Sequence, residues 1–75
     1  MFTRKEVSTH NTDNDAWIII RGDVYDVTDF KESHPGGKKV VMRYAGKDAT
    51  EEFEMLHSKS ILKRYRRTLK IGELK

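Results

Sequence analysis

A helix cannot run through residues 33–37, Ser-His-Pro-Gly-Gly. Pro35 fixes its own φ, lacks an amide proton and biases His34 away from helical backbone. Gly36 and Gly37 then let the chain turn where a side chain would clash. His34 is therefore held at the tip of a tight turn, and the 75-residue chain is divided there into two unlike halves.

The half before the turn opens with a helix signal. Thr3 and Glu6 form a capping box, with Phe2 and Val7 placed as its hydrophobic staple, so a short helix is expected over 4–10. Residues 11–15 read as a polar turn. Trp17-Ile18-Ile19-Ile20 is aromatic and β-branched and reads as a strand. Residues 21–23 turn it, and Val24-Tyr25-Asp26-Val27 returns as the second arm of a hairpin. Thr28 or Asp29 can cap a brief helix that passes Phe30 and ends before Pro35.

The half after the turn changes period. Val40, Val41 and Tyr44 sit at helical spacing over 38–44, and Gly46 is the stop. Asp48 caps a second helix, with Glu51 three residues on and Phe53, Leu56 and His57 along one face. Ser58 or Ser60 opens a third helix with Ile61, Leu62 and Tyr65 turned inward, and residues 68–71 form a last strand. A hairpin, then helices, then a strand gives an α+β domain over 1–75, a small mixed sheet carrying helix pairs.

So short a chain buries a modest core and commonly needs a staple. There are no cysteines, which excludes disulfides, thiolate metal sites and covalent cofactor attachment through CxxCH. The longest apolar run, 16–20, is far short of a membrane span, and no signal peptide is seen, so a soluble, cytoplasmic monomer is expected. The net charge of +3 admits nucleic acid, acidic membranes or acidic proteins without selecting among them.

His34 and His57 are 23 residues apart. Each lies at the end of a helical segment flanked by apolar positions. Phe30, Val40 and Val41 accompany the first, and Phe53, Leu56, Ile61 and Leu62 the second. Two helical pairs of this kind can form a crevice for a flat apolar cofactor whose metal takes one imidazole per face. Backbone carbonyls of the glycine turn would then steady the ring of His34. The plainer reading, that both are surface or capping histidines, stays open on spacing alone. A zinc site is poorly supported, because the carboxylates show no ligand spacing.

The segments DAWIIIRGDVYDVTDFKESHPGG, AGKDATEEFEMLHS and LKIGEL resemble the cytochrome b5 family, and the resemblance covers nearly the whole chain. It implies a non-covalent haem b with His34 and His57 as axial ligands. It implies a pocket of Ile18, Ile20, Val27, Phe30, Val40, Val41, Phe53, Leu56, Ile61 and Leu62, with Pro35 and Gly36 in the turn beneath the first ligand. Ser58 matches a position near a haem propionate, and Tyr65 is a second pocket contact. Trp17 and Tyr25 read as structural core. The implied function is single-electron transfer between a reductase and an acceptor oxidoreductase, by a carrier that is not itself an enzyme.

Three departures from the microsomal pattern stand out. No hydrophobic tail follows Leu74, which suggests a soluble member or a domain of something larger. Phe53 to His57 is one residue shorter, closer to haem domains fused to flavin or molybdenum enzymes. The family's acidic positions after the HPGG turn are here Lys38, Lys39 and Arg43, and an acidic position before the second histidine is Met55. Such charges set encounter rate and partner choice, so an acidic reductase, an acidic acceptor or a fused neighbour is expected. Solvated lysines at a helix start are the plainer alternative. Two other functions stand beside this one: a haem or steroid binding module without electron transfer, and an anionic-surface or nucleic-acid module using residues 63–67, Lys-Arg-Tyr-Arg-Arg. Nucleic acid is not expected, because that cluster reads as the solvated face of a helix with Tyr65 turned in.

Overall fold

The computed structural model describes residues 1–12, 14–29, 38–56 and 58–75, with the backbone alone for Lys38, Val40 and Leu56. Their order is α1 (Arg4–Ser8), β1 (Asn11–Thr12), β2 (Asp15–Ile20), β3 (Asp23–Asp26), α2 (Lys38–Arg43), α3 (Thr50–Leu56), α4 (Lys59–Leu69) and β4 (Lys70–Glu73). The strands form one antiparallel sheet in the order β1-β2-β3-β4. The class is α+β, as the change of period across the glycine turn predicts. Among the described residues, no helix is long and apolar enough to cross a membrane.

Helix α1 begins where its capping box dictates. The Thr3 hydroxyl accepts from the Glu6 amide at 3.0 Å, and the Glu6 carboxylate accepts from the Thr3 amide at 3.0 Å. The staple closes too, with Val7 fully buried and Phe2 packed against its cluster. The helix ends sooner than expected, because Thr9 caps it and the His10 carbonyl turns to accept from Trp17 N. Residues 11–15, read as a turn, contain a short antiparallel pair, Asn11 opposite Ala16 and Thr12 opposite Asp15. Two exposed polar residues held only by backbone bonds carry no periodic signal.

The β2–β3 hairpin pairs Trp17 with Asp26 and Ile20 with Asp23. Its two-residue loop places Arg21 at φ 49° and Gly22 at φ 78°. Two positive φ values match the right-handed twist of the flanking strands. Beyond β1, the free edge of β2 is taken by the loop after α2. Gly46 N donates to Trp17 O, Ile19 N to Lys47 O, and Ala49 N to Ile19 O. Gly46 sits at φ 78°, and a Cβ there would lie 3.1 Å from the Ser8 carbonyl oxygen and from the Asn11 Cβ. Glycine is thus needed both to stop α2 and to let this loop approach α1.

Helix α4 runs to Leu69, so the last strand starts at Lys70 rather than at Thr68. The Thr68 hydroxyl donates to the Arg64 carbonyl at 3.1 Å, one turn back, which keeps it helical. Thr28 links the two strands of the hairpin. Its hydroxyl accepts from Ala16 N at 2.9 Å and donates to Asp26 at 2.7 Å, tying β2 to the end of β3. The brief helix expected past Phe30 lies outside the described residues.

The alternation of β2 and β3 divides the core between the two sheet faces. Ile19 and Val24 join Val7 on one face, under Phe2, Trp17 and Leu74. Ala16, Ile18, Ile20, Tyr25 and Val27 point to the other, where they meet the helices.

Candidate functional site

The helical face of the sheet is built as one apolar wall. Ile20 and Val27 come from the sheet, Val41 from α2 and Phe53 from α3, and all four are buried in one cluster with Ile18. These residues, expected in the pocket on different grounds, are thus brought together. Helix α4 closes the cluster with Leu62, Tyr65 and Leu69, each only half-buried. The spacing of three and then four residues puts those side chains on one stripe. Ile61, expected to turn inward, is 38% exposed and belongs to neither cluster. It lies at the margin of that stripe, about 70° around the helix from its centre.

Leu69, Ala45 and Ala49 join this cluster without being expected there. Leu69 carries a signal, seven positions after Leu62 on the helical period, which its reading as strand hides. Ser58 is the N-cap of α4, where its hydroxyl accepts from Ile61 N at 3.3 Å and lies 3.1 Å from the Ser60 hydroxyl. Val40 and Leu56 fall on α2 and α3 as expected, with their side chains undescribed. His34, His57, Phe30, Pro35 and Gly36 lie outside the described residues.

Charge is distributed unevenly around this wall. Lys39 and Arg43 on α2 are exposed, and among the described residues neither forms an ion pair. Across from them, Tyr44 donates its hydroxyl to Glu52 at 3.2 Å. Burial, then the hydrogen bond to Glu52 and its charge, raise the Tyr44 pKa, with Arg43 opposing. At the start of α3, Asp48 accepts from the Thr50 amide at 2.9 Å and the Thr50 hydroxyl at 2.6 Å. Burial alone would raise the Asp48 pKa. The bonds from Thr50 and the charge of Arg4 outweigh it and hold the carboxyl below its ordinary value.

What this side of the sheet offers chemically is a buried apolar cluster with a partly exposed apolar flank on α4. Ile20, Val27, Val41 and Phe53 present no polar atom except backbone, and Leu62, Tyr65 and Leu69 form a half-open flank. This suits the apolar body of a porphyrin, which needs a dry slot with a polar rim. The described residues therefore fit a haem.

Comparison with known proteins bears on the same point. Residues 3–75 match the model of the cytochrome b5-like haem/steroid binding domain. The chain belongs to this family. A putative cytochrome b5 of Neurospora crassa is 48% identical over 73 residues, covering 97% of this chain and 88% of that protein. The solved cytochrome b5 of Ostreococcus tauri virus 2 superimposes with a TM-score of 0.90 at 47% identity, over 100% of this chain and 96% of the other. An L-lactate dehydrogenase (cytochrome) of Wickerhamomyces anomalus is 46% identical over 63 residues, which are 84% of this chain and 11% of that enzyme. The cytochrome b5 fold thus occurs at similar identity in small proteins and within a much longer oxidoreductase. Haem b is the cofactor of the cytochrome b5 domain, and electron transport is the work of that family.

Proposed function

We propose that this chain is a one-electron carrier in which His34 and His57 hold the iron of haem b between them. The observation that carries the reading is the assembly of Ile20, Val27, Val41 and Phe53 into one apolar cluster, with the partly exposed Leu62, Tyr65 and Leu69 along its flank. Val40, Leu56, Phe30 and Ile61 would extend it, and the Pro35-Gly36 turn would fix the first imidazole. Bound haem supplies a one-electron Fe(III)/Fe(II) couple. With His34 and His57 both holding the iron, no metal position would be left open to oxygen or a substrate. Ser58, beside His57 in sequence, would donate its hydroxyl to a propionate while its oxygen caps α4. Tyr65 would line the same edge.

The partner would be an oxidoreductase, separate or fused. Similarity to a stretch of L-lactate dehydrogenase (cytochrome) supports this. Lys38 and Lys39 stand at the positive end of the α2 dipole, where cations do not help the helix. Together with Arg43 they are better explained as charges that steer an acidic partner.

Absorption spectra of the haem-loaded chain test the ligand assignment. The wild type should be low-spin in both oxidation states. His34→Ala and His57→Ala should each convert it to a high-spin form or lose haem. A wild type that takes up no haem, or variants that keep the low-spin spectrum, would reject the assignment.

A further inference from the structure

A cleft of about 760 Å³ opens between the β2–β3 turn and α4, with Ile20, Tyr25 and Leu62 as its apolar floor. Its walls are charged, but not all the charges are free. Arg21 pairs with Glu54 on one side. On the other, Asp23 is held by Arg66 at 3.3 Å and by Lys70 at 3.2 Å. Both wall carboxylates are thereby neutralised. Lys59 and Lys63 also line the cleft, and among the described residues neither has an acidic partner. Helix α4 contributes no acidic residue of its own.

The floor carries an unanswered polar group. Tyr25 is only 4% exposed, yet among the described residues its hydroxyl has no hydrogen-bond partner. Tyr25 lines the cleft, so its hydroxyl is free to donate to a group bound there. Burial, then the charge of Asp23, raise its pKa against the pull of Arg66. Both of those residues line the cleft, so the phenol end faces it and stays a donor at neutral pH. At the rim, Arg21 holds a left-handed backbone, φ 49°, pinned by its amide to the Thr50 hydroxyl at 2.9 Å and by its guanidinium to Glu54.

We propose that this cleft docks an acidic segment of the redox partner, with carboxylates on Lys59 and Lys63 and one carboxylate accepting the Tyr25 hydroxyl. That the segment belongs to the redox partner rests on the electron-carrier reading; the site itself does not. The apolar floor suits an aromatic or aliphatic residue beside the carboxylates. A nucleic-acid strand fits less well, because two unpaired lysines are too few to follow a run of phosphates. A lipid surface fits less well, because the cleft is concave.

The test uses a fluorescein-labelled peptide of repeated Glu-Glu-Tyr and the haem-loaded chain, read by anisotropy at low salt. Lys59→Glu with Lys63→Glu should weaken binding by about tenfold or more. Tyr25→Phe, which keeps the ring, should weaken it by about two- to tenfold, the loss of one hydrogen bond. Lys5→Glu with Lys47→Glu, exposed lysines outside the cleft, should change it by less than about twofold. Unchanged affinity in Tyr25→Phe, equal loss in the Lys5/Lys47 variant, or tighter binding of an oligothymidine or of phosphatidylserine vesicles would overturn the proposal. Haem uptake is read on the same samples. A wild type that takes up no haem but binds the peptide with these variant effects would reject the carrier reading and leave the cleft standing.

Discussion

The two apolar clusters on either side of the sheet differ in how they are finished. On one face Val7, Ile19 and Val24 are fully buried under Phe2, Trp17 and Leu74. Each covering group is itself fixed. Phe2 meets Trp17 edge-on at 5.0 Å, His10 stacks on the other side of that indole at 3.4 Å, and Phe2 N donates to Glu73 O. The Phe2 ring also lies over Gly72, where a Cβ would approach it to 2.6 Å. This cluster draws its cover from both ends of the chain. On the helical face, among the described residues, nine are buried rather than three, and the cover from α4 is partly buried, as Phe2, Trp17 and Leu74 are on the first face. The difference lies in what meets at each face: the first is covered by groups that described contacts fix, while the second gathers sheet and helices on the side where we propose that haem sits.

The largest expected effect separates the two faces by adding that cofactor. Haem at about a thousand times its Kd should stabilise the fold by about 4 kcal/mol. For a domain of this size that is roughly 15–30 °C in Tm. Thermal melts with and without haem check it, and an unshifted Tm would mean that the helical face is already complete.

Core truncations sharpen the contrast. Ile19→Ala should cost about 2–5 kcal/mol, and by the same amount in apo and haem-loaded protein, because its cluster does not touch the crevice. Val41→Ala should cost about 2 kcal/mol in the loaded protein and less in the apo form, where the wall can relax. Urea titrations of the four samples measure both. Equal costs for Val41→Ala in the two forms would erase the distinction drawn between the faces.

The smallest effect concerns the loop that ties both halves together. The Asp48 carboxyl titrates below its ordinary value, so its contribution is present above the unfolded pKa, near pH 4, and fades as pH falls through the lower folded value. Because the side chain is 40% exposed, the gain is about 0.5 kcal/mol or less. Asp48→Asn should lower stability slightly at neutral pH and flatten the acid limb of the pH–stability curve below pH 4. An acid limb identical to that of the wild type would remove this role.

What could be read beforehand follows from which forces leave a local trace. The capping box at Thr3, the Trp17–Val27 hairpin, the Gly46 stop and the Ser58 cap are each written in a few adjacent residues. So is the apolar set Ile20, Val27, Val41 and Phe53, although its assembly into one wall is tertiary. Asn11–Thr12 was illegible because two polar residues pair through backbone alone. Leu69 reads as strand because the helix-to-strand boundary falls between two residues, Leu69 and Lys70, that suit either state. The cleft under Tyr25 had no sequence signature, since it depends on how α4 sits against the hairpin turn. The glycine turn pointed to His34 from the outset, while its lysines pointed only to a partner's charge.

Amide hydrogen exchange with and without haem tests the contrast most directly, because it reads each face separately. Ile19 and Val24 should be protected in both states. Amides of α2, α3 and α4 should gain protection when haem is added. Equal protection of both faces without haem, or no gain across the helices with it, would contradict the account.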